Sequence, residues 1–302
     1  MKKLILLGLL SASCWGQKLA ITFDDLPLNG ELPAGMTHTQ IAADVLKILK
    51  KRHVPPVYGF INAWKLEGNP DAAQALRLWA VQEPVGNHTY THMSLADNSV
   101  ELFERNLEEN EPVLELLSMG SSKPGGWDWH WFRYPYLIEG DTMEKRRAVR
   151  EYLGKRNYKI AQVTMDWHDY LWNFTYTRCL NKKDFKAIEG LRASYLQTAA
   201  ASIDYDRELA KLAFGHDINH VLLMHLGTYS STILPDVFDL LKKKGFQLVT
   251  LEEAQSDPVY AVDPEVASRG GNSLTGQMLE SKKIAFPEGA PDPDKLLAGV
   301  CQ

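Results

Sequence analysis

Lys18-Leu19-Ala20-Ile21-Thr22-Phe23-Asp24-Asp25-Leu26-Pro27 is the stretch that decides the reading of this chain. Its apolar run reads as a buried strand, and that strand ends in two adjacent carboxylates. Neighbouring carboxylates resist ionising together, so a cation is expected close by. Successive side chains of a regular strand point to opposite faces. For Asp24 and Asp25 to serve one site, the strand must end or bulge there, and Pro27 fits such a break. Taken alone, the pair reads equally well as a loop-bracing or capping element.

Further along, His88-Thr89-Tyr90-Thr91-His92 places two imidazoles four residues apart. On a helical turn that spacing puts both rings on one face. One carboxylate and two histidines, with room for water, form the ligand set of an open hydrolytic metal site. Asn87-His88-Thr89 also matches a glycosylation acceptor pattern, a weaker reading of the same residues.

The surrounding chain alternates strand and helix. Strands are expected at 18–25, 56–62, 85–88, 129–136, 159–166, 221–226 and 246–251. Helices are expected at 39–52, 70–82, 141–156 and 235–244, with a further long one capped by Ser99 and bent at Pro112, its Leu102, Phe103 and Leu107 facing inward. Repeated strand–helix units predict a parallel sheet. Seven of them predict an α/β barrel with one unit missing. The helical stretch 184–214 reads as an insertion or cap. From Ser256 onward Pro, Gly, Asp and Ser dominate, which predicts an irregular tail over the surface.

At 302 residues, with 45% hydrophobic and 24% charged residues, the chain has an ordinary globular composition. A formal charge of −5 argues against nucleic acid or anionic membrane surfaces as main partners. Lys2-Lys3, the apolar run 5–10 and Ser11-Ala12-Ser13 read as a signal peptide over 1–16, so export to the periplasm or medium is expected. Lipid anchoring at Cys14 is the weaker alternative, because Ser11 stands where a lipoprotein signal carries Leu. No other segment is apolar enough to span a bilayer. Cys179 and Cys301 either pair or remain separate thiols.

Three more groups sit at expected strand ends, where parallel α/β folds keep their active sites. Arg133, in Arg133-Tyr134-Pro135-Tyr136, would hold a carboxylate ionised or lie on the surface. Asp169, in Asp166-Trp167-His168-Asp169-Tyr170, would orient an imidazole or cap a helix. His225, after Val221-Leu222-Leu223-Met224, is a core histidine or a catalytic acid. Trp127, Trp129, Trp131 and Trp172 flank these groups and would stack on sugar rings or pack in the core.

Taken in order, Thr22-Phe23-Asp24-Asp25, His88-Thr89-Tyr90-Thr91-His92, Arg133-Tyr134-Pro135-Tyr136, Asp166-Trp167-His168-Asp169-Tyr170 and Leu223-Met224-His225 resemble the five motifs of the polysaccharide deacetylases. These are also called NodB-homology proteins or carbohydrate esterase family 4. The resemblance covers 18–251 and implies a distorted (β/α)7 barrel, with a catalytic domain at 17–255, an insertion at about 171–218 and an extension at 256–302. It implies a metal-dependent N- or O-deacetylase acting on an acetylated oligo- or polysaccharide. Asp25, His88 and His92 would then bind one divalent cation, Zn2+ first, with Co2+, Ni2+ or Mn2+ as substitutes. Asp24 would be the general base and His225 the general acid. Arg133 would tether Asp24, and Asp169 would tune His225. The Tyr136 N–H would help hold the oxyanion, and Leu223 would line the acetyl-methyl pocket. Leu26, Leu137, Tyr170 and Leu226 depart from the Gly, Gly, Trp and Asp usual in the family. They reshape the cleft and leave the substrate open. Two rival functions remain: hydrolysis of a small non-peptide amide or cyclic imide on the same scaffold, and carbohydrate binding without catalysis. Retention of Asp24 and His225 argues against the second.

Overall fold

The computed structural model describes residues 16–302, so the expected leader lies, but for its last residue, outside the described residues, Cys14 included. Seven strands follow in chain order: β1 (Gln17–Leu26), β2 (Tyr58–Ile61), β3 (Val85–Asn87), β4 (Trp131–Phe132), β5 (Lys159–Ile160), β6 (His220–His225) and β7 (Phe246–Leu248). All pair in parallel, in the order β5-β4-β3-β2-β1-β6, with β7 also on β1. Beyond β5, Met165 bridges Leu222 of β6; the Thr164 N–H donates to the Val221 carbonyl and the Leu223 N–H to the Met165 carbonyl. The sheet therefore curls back on itself, the distorted barrel expected from the strand–helix alternation.

The helices are α1 (His38–Lys51), α2 (Pro70–Gln82), α3 (Val100–Glu108), α4 (Glu111–Met119), α5 (Met143–Lys155), α6 (Tyr170–Lys182), α7 (Phe185–Phe214), α8 (Ser230–Lys243), α9 (Leu251–Ala254), α10 (Leu274–Lys282) and α11 (Pro293–Leu297). Thr37, Asn69, Ser99 and Thr142 open α1, α2, α3 and α5, each side chain accepting an otherwise orphaned N–H three residues on. Leu19, Ile21 and Phe23 of β1 meet Ile41, Val45 and Leu49 of α1 in the main core. Burying each such side chain stabilises the fold by about 1.5–3 kcal/mol.

Several expectations need correction. β4 and β5 are shorter than 129–136 and 159–166; at β5 a side chain takes up the flanking backbone, Gln255 accepting from the Gln162 N–H and donating to the Ile160 carbonyl. The long helix after Ser99 divides at Asn110, ahead of Pro112. Asn110 is spent on bonds to the Ala63 N–H, the Ile61 carbonyl and Asn87. Leu102 faces solvent, while Phe103 and Leu107 are buried. The segment 184–214, read as an insertion or cap, is one long helix, α7. Leu191, Tyr195, Ala199 and Ile203 of α7 are buried in the main core, as an outer barrel helix requires.

The tail is not a surface run either. Leu274, Met278 and Leu279 of α10 form an apolar face that packs on Leu209 and Ala213 of α7. Cys301 is disulfide-bonded to Cys179 of α6, their Cα atoms 5.1 Å apart. Among the described residues, no helix is long and apolar enough to cross a membrane.

Candidate active site

Asp24 and His225 are register partners on β1 and β6. One residue later β1 breaks step: its pairing with β2 slips between Phe23 and Leu26, and Asp25 takes a left-handed φ of 66°. This irregularity turns both carboxylates into one cleft of about 450 Å3.

His88 leaves the end of β3, and the His pair reaches the cleft on an irregular loop rather than the helical turn expected from its spacing. Thr89 and His92 are left-handed, with φ near 60°. Asn106 accepts from the Thr91 N–H, Asn87 from the Thr89 N–H, and Asn62 donates to the His88 and Thr89 carbonyls. These bonds hold the imidazole centroids 4.8 Å apart. Asn87 is fully buried within this network, so it is no glycosylation acceptor.

The Nδ1–H of His88 donates to the Arg133 carbonyl at 2.7 Å, which leaves the Nε2 lone pair facing the carboxylates. That Nε2 lies 3.8 Å from Asp25 Oδ1, and His92 Nε2 lies 3.5 Å from the same atom. Asp25 Oδ1 is buried and accepts no hydrogen bond. Burial lowers the pKa of both imidazoles, keeping them neutral. Burial pushes Asp25 up, but the nearby Lys65 ammonium, followed by charged His225, outweighs it and holds its carboxyl well below the usual range. Three acceptor atoms within 4.8 Å of one another, one of them orphaned, fit a divalent cation.

Asp24 is buried at the base of the cleft, with Arg133 Nη1 3.3 Å from each of its oxygens. Arg133 is itself fixed by bonds to the Ala161 carbonyl and the Thr22 hydroxyl, and lies over the Phe60 ring. Burial raises Asp24 to about 6 against the pull of Arg133. Asp169 Oδ1 meets His225 Nδ1 at 2.7 Å, and its Oδ2 accepts the His225 N–H at 2.9 Å. Burial draws His225 down, but Asp169 lifts it to about 9. Leu223 and Tyr136 line the same cleft. Tyr136 is left-handed, with φ 58°, and its ring centroid lies 4.3 Å from that of His92, the two rings edge to face.

The structure thus brings all nine expected site residues to one place, and adds others. Lys65 Nζ donates to the Asp25 and Leu28 carbonyls, and Asn29 donates to Asp25 Oδ2. Gly271 is the surprise. It reaches the cleft from the extension and lies so close to the Tyr136 carbonyl that a Cβ there would sit 1.6 Å from the oxygen. Asn29, four residues after Asp25, was open to sequence reasoning; Gly271 carries no local signal. The aromatic wall is Tyr136, Tyr170 and Phe174, not the flanking tryptophans. Trp131 and Trp172 are core residues, and neither Trp127 nor Trp129 lines the cleft.

A family model described as polysaccharide deacetylase matches residues 15–158. No curated protein matches the chain by sequence. Among solved structures, a chitin deacetylase from Colletotrichum lindemuthianum is 20% identical, with a TM-score of 0.51 over 79% of this chain and 87% of that one. A peptidoglycan N-acetylglucosamine deacetylase is 18% identical, with a TM-score of 0.51 over 78% of this chain and 87% of its own. A CE4 family pseudoenzyme of Bacillus anthracis, in a mutant with restored activity, is 17% identical, with a TM-score of 0.51 over 79% and 67%. At these identities the likeness is one of fold.

Proposed function

We propose that the chain is a member of the polysaccharide deacetylase family, whose model matches residues 15–158, and that it is a divalent-metal-dependent hydrolase that removes acetyl groups from an N-acetylated, or O-acetylated, carbohydrate. The observation that carries this reading is the cleft itself, where the Asp25–His88–His92 cluster stands beside Asp24 and His225.

In this reading Asp25, His88 and His92 hold the ion. When bound, it would polarise the acyl oxygen and make a water acidic enough to attack near neutral pH. Asp24 takes the proton of that water. Burial keeps it basic enough to do so, and Arg133 fixes the carboxylate in place. The Tyr136 turn offers a backbone N–H to the developing oxyanion. Leu223 contacts the acetyl methyl. His225, charged at neutral pH because Asp169 backs its Nδ1, gives its proton to the departing amine or alcohol.

The test is acetate release from acetylated chito-, xylo- and peptidoglycan oligosaccharides, with and without chelator. Release that a chelator abolishes and Zn2+ restores is the expected outcome. No release from any of the three, by protein shown to carry metal, would overturn the reading.

A further inference from the structure

Adjacent carboxylates need a cation close by, and the folded chain gives one of its own to each. Asp24 has the Arg133 guanidinium, 3.3 Å from both its oxygens. Asp25 has Lys65, whose Nζ lies 3.9 Å from Oδ1. The relief that the Asp24-Asp25 pair demands is thus built from side chains, and Lys65 stands outside all five motifs.

Lys65 is held where it stands. It belongs to the short turn Ala63–Leu66 that follows β2. The Ala63 N–H donates to the Asn110 side chain and the Trp64 N–H to the Tyr90 carbonyl, which ties this turn to the loop carrying His88 and His92. The ammonium donates to the Asp25 carbonyl at 2.8 Å and to the Leu28 carbonyl at 3.1 Å. An exposed lysine is free to swing into solvent. These two bonds anchor Lys65 to the irregular end of β1 and the loop after it.

The two oxygens of Asp25 differ. Oδ2 accepts from Asn29 at 2.8 Å, whereas Oδ1 is buried, accepts no hydrogen bond and lies near both imidazoles. Oδ1 is therefore the atom open to an ion, and it is also the atom that Lys65 approaches. An ammonium and a divalent ion drawn to one oxygen repel each other, and the repulsion is stronger in a partly buried site than in bulk water.

We propose that Lys65 is a positioning residue that acts through Asp25 to set metal affinity: it holds the ligand in its coordinating pose and opposes the ion with a fixed charge, so that the ion stays exchangeable. The inference rests on Asp25, His88 and His92 holding an ion, and adds to that reading the residue that tunes it.

The test is the Zn2+ affinity of the chelator-stripped full chain, read by competition with a chromophoric chelator, in wild type, Lys65→Gln, Lys65→Met and Lys65→Arg. Lys65→Gln keeps an N–H donor for the carbonyls and removes the charge, so it is expected to bind Zn2+ about tenfold more tightly. Lys65→Met, which loses the bonds as well, should shift in the same direction by less, and either neutral variant decides the sign. Lys65→Arg keeps the charge and should stay closest to wild type. Melting gives a second reading that needs no turnover. A ligand stabilises the fold according to its affinity, so saturating Zn2+ should raise the Tm of Lys65→Gln more than that of wild type. A lysine that only braced the turn would behave in the opposite way: its loss would weaken Zn2+ binding, or lower the Tm equally with and without Zn2+. Equal or weaker Zn2+ binding in the neutral variants overturns the proposal and leaves the metal site standing. So does a Lys65→Arg protein that binds as tightly as Lys65→Gln. If neither wild type nor the neutral variants bind Zn2+, the ligand assignment falls and the proposal falls with it.

Discussion

The floor and the rim of the cleft are built by opposite means. The floor comes from strand ends: Asp24 and His225 are register partners, His88 follows β3 and Arg133 follows β4. Its side chains are buried and bonded to one another, so a change in any one is felt by the rest. The rim comes from α6, the Tyr136 turn and the extension; Tyr136 is 59% exposed and Phe174 37%. The sheet positions the floor, whereas contacts between segments far apart in sequence position the rim. The floor should therefore govern turnover and the rim affinity.

The sharpest way to break that division is within the floor. His88→Ala is expected to strip the ion and abolish turnover. Asp24→Asn is expected to keep about one ion per chain and lose ~10²–10⁴-fold in kcat, the usual worth of a general base. Elemental analysis alongside acetate-release kinetics checks both. Metal lost from the Asp24 variant, or kept by the His88 variant, would show that the roles are divided differently.

Gly271→Ala probes a place where the extension presses on the Tyr136 turn at the edge of the floor. The new methyl must displace the Tyr136 carbonyl. Misplacement by about 1 Å can cost ~10²-fold, so kcat should fall by up to that factor while metal content and circular dichroism stay those of the wild type. A wild-type kcat in folded Gly271→Ala would show that the extension does not position the turn.

The next effect is one of pH. A general base must be deprotonated and a general acid protonated, so turnover should rise through the Asp24 value of about 6 and fall through the His225 value of about 9. Asp169 is what lifts His225. Asp169→Asn removes the charge that favours imidazolium, so the alkaline limb should move downward by about one unit or more. A pH–rate profile whose alkaline limb stays in place would assign that limb to another group.

The smallest effect is expected at the rim. Phe174→Ala removes an aromatic wall and no catalytic atom, so KM should rise about threefold with kcat held. A fall in kcat at constant KM would mean that the rim also orders the floor.

Much of the floor was legible in the sequence. Asp24-Asp25 before Leu26-Pro27 pointed to a strand that ends or bulges there, and the register slip after Phe23 is the bulge. The His88/His92 pairing was legible, but its means was not. Spacing suggested a helical turn, whereas bonds from Asn62, Asn87 and Asn106 fold a loop. Those asparagines come from three separate segments, and nothing in the local pattern links them. The shortness of β5 was hidden for the same reason, since Gln255 takes up its backbone from 95 residues away.

What the sequence determined by itself is the order of strand-end chemistry and the barrel that carries it. Apolar periodicity and the residue types at strand ends are local properties, written within a few residues of each site. Only the tertiary structure decided that Cys179 pairs with Cys301, that 184–214 packs as a barrel helix, and that Gly271 returns from the extension to press on Tyr136. These rest on contacts between residues separated by many tens of positions, where burial and steric fit are set by packing and leave no trace in the neighbouring sequence.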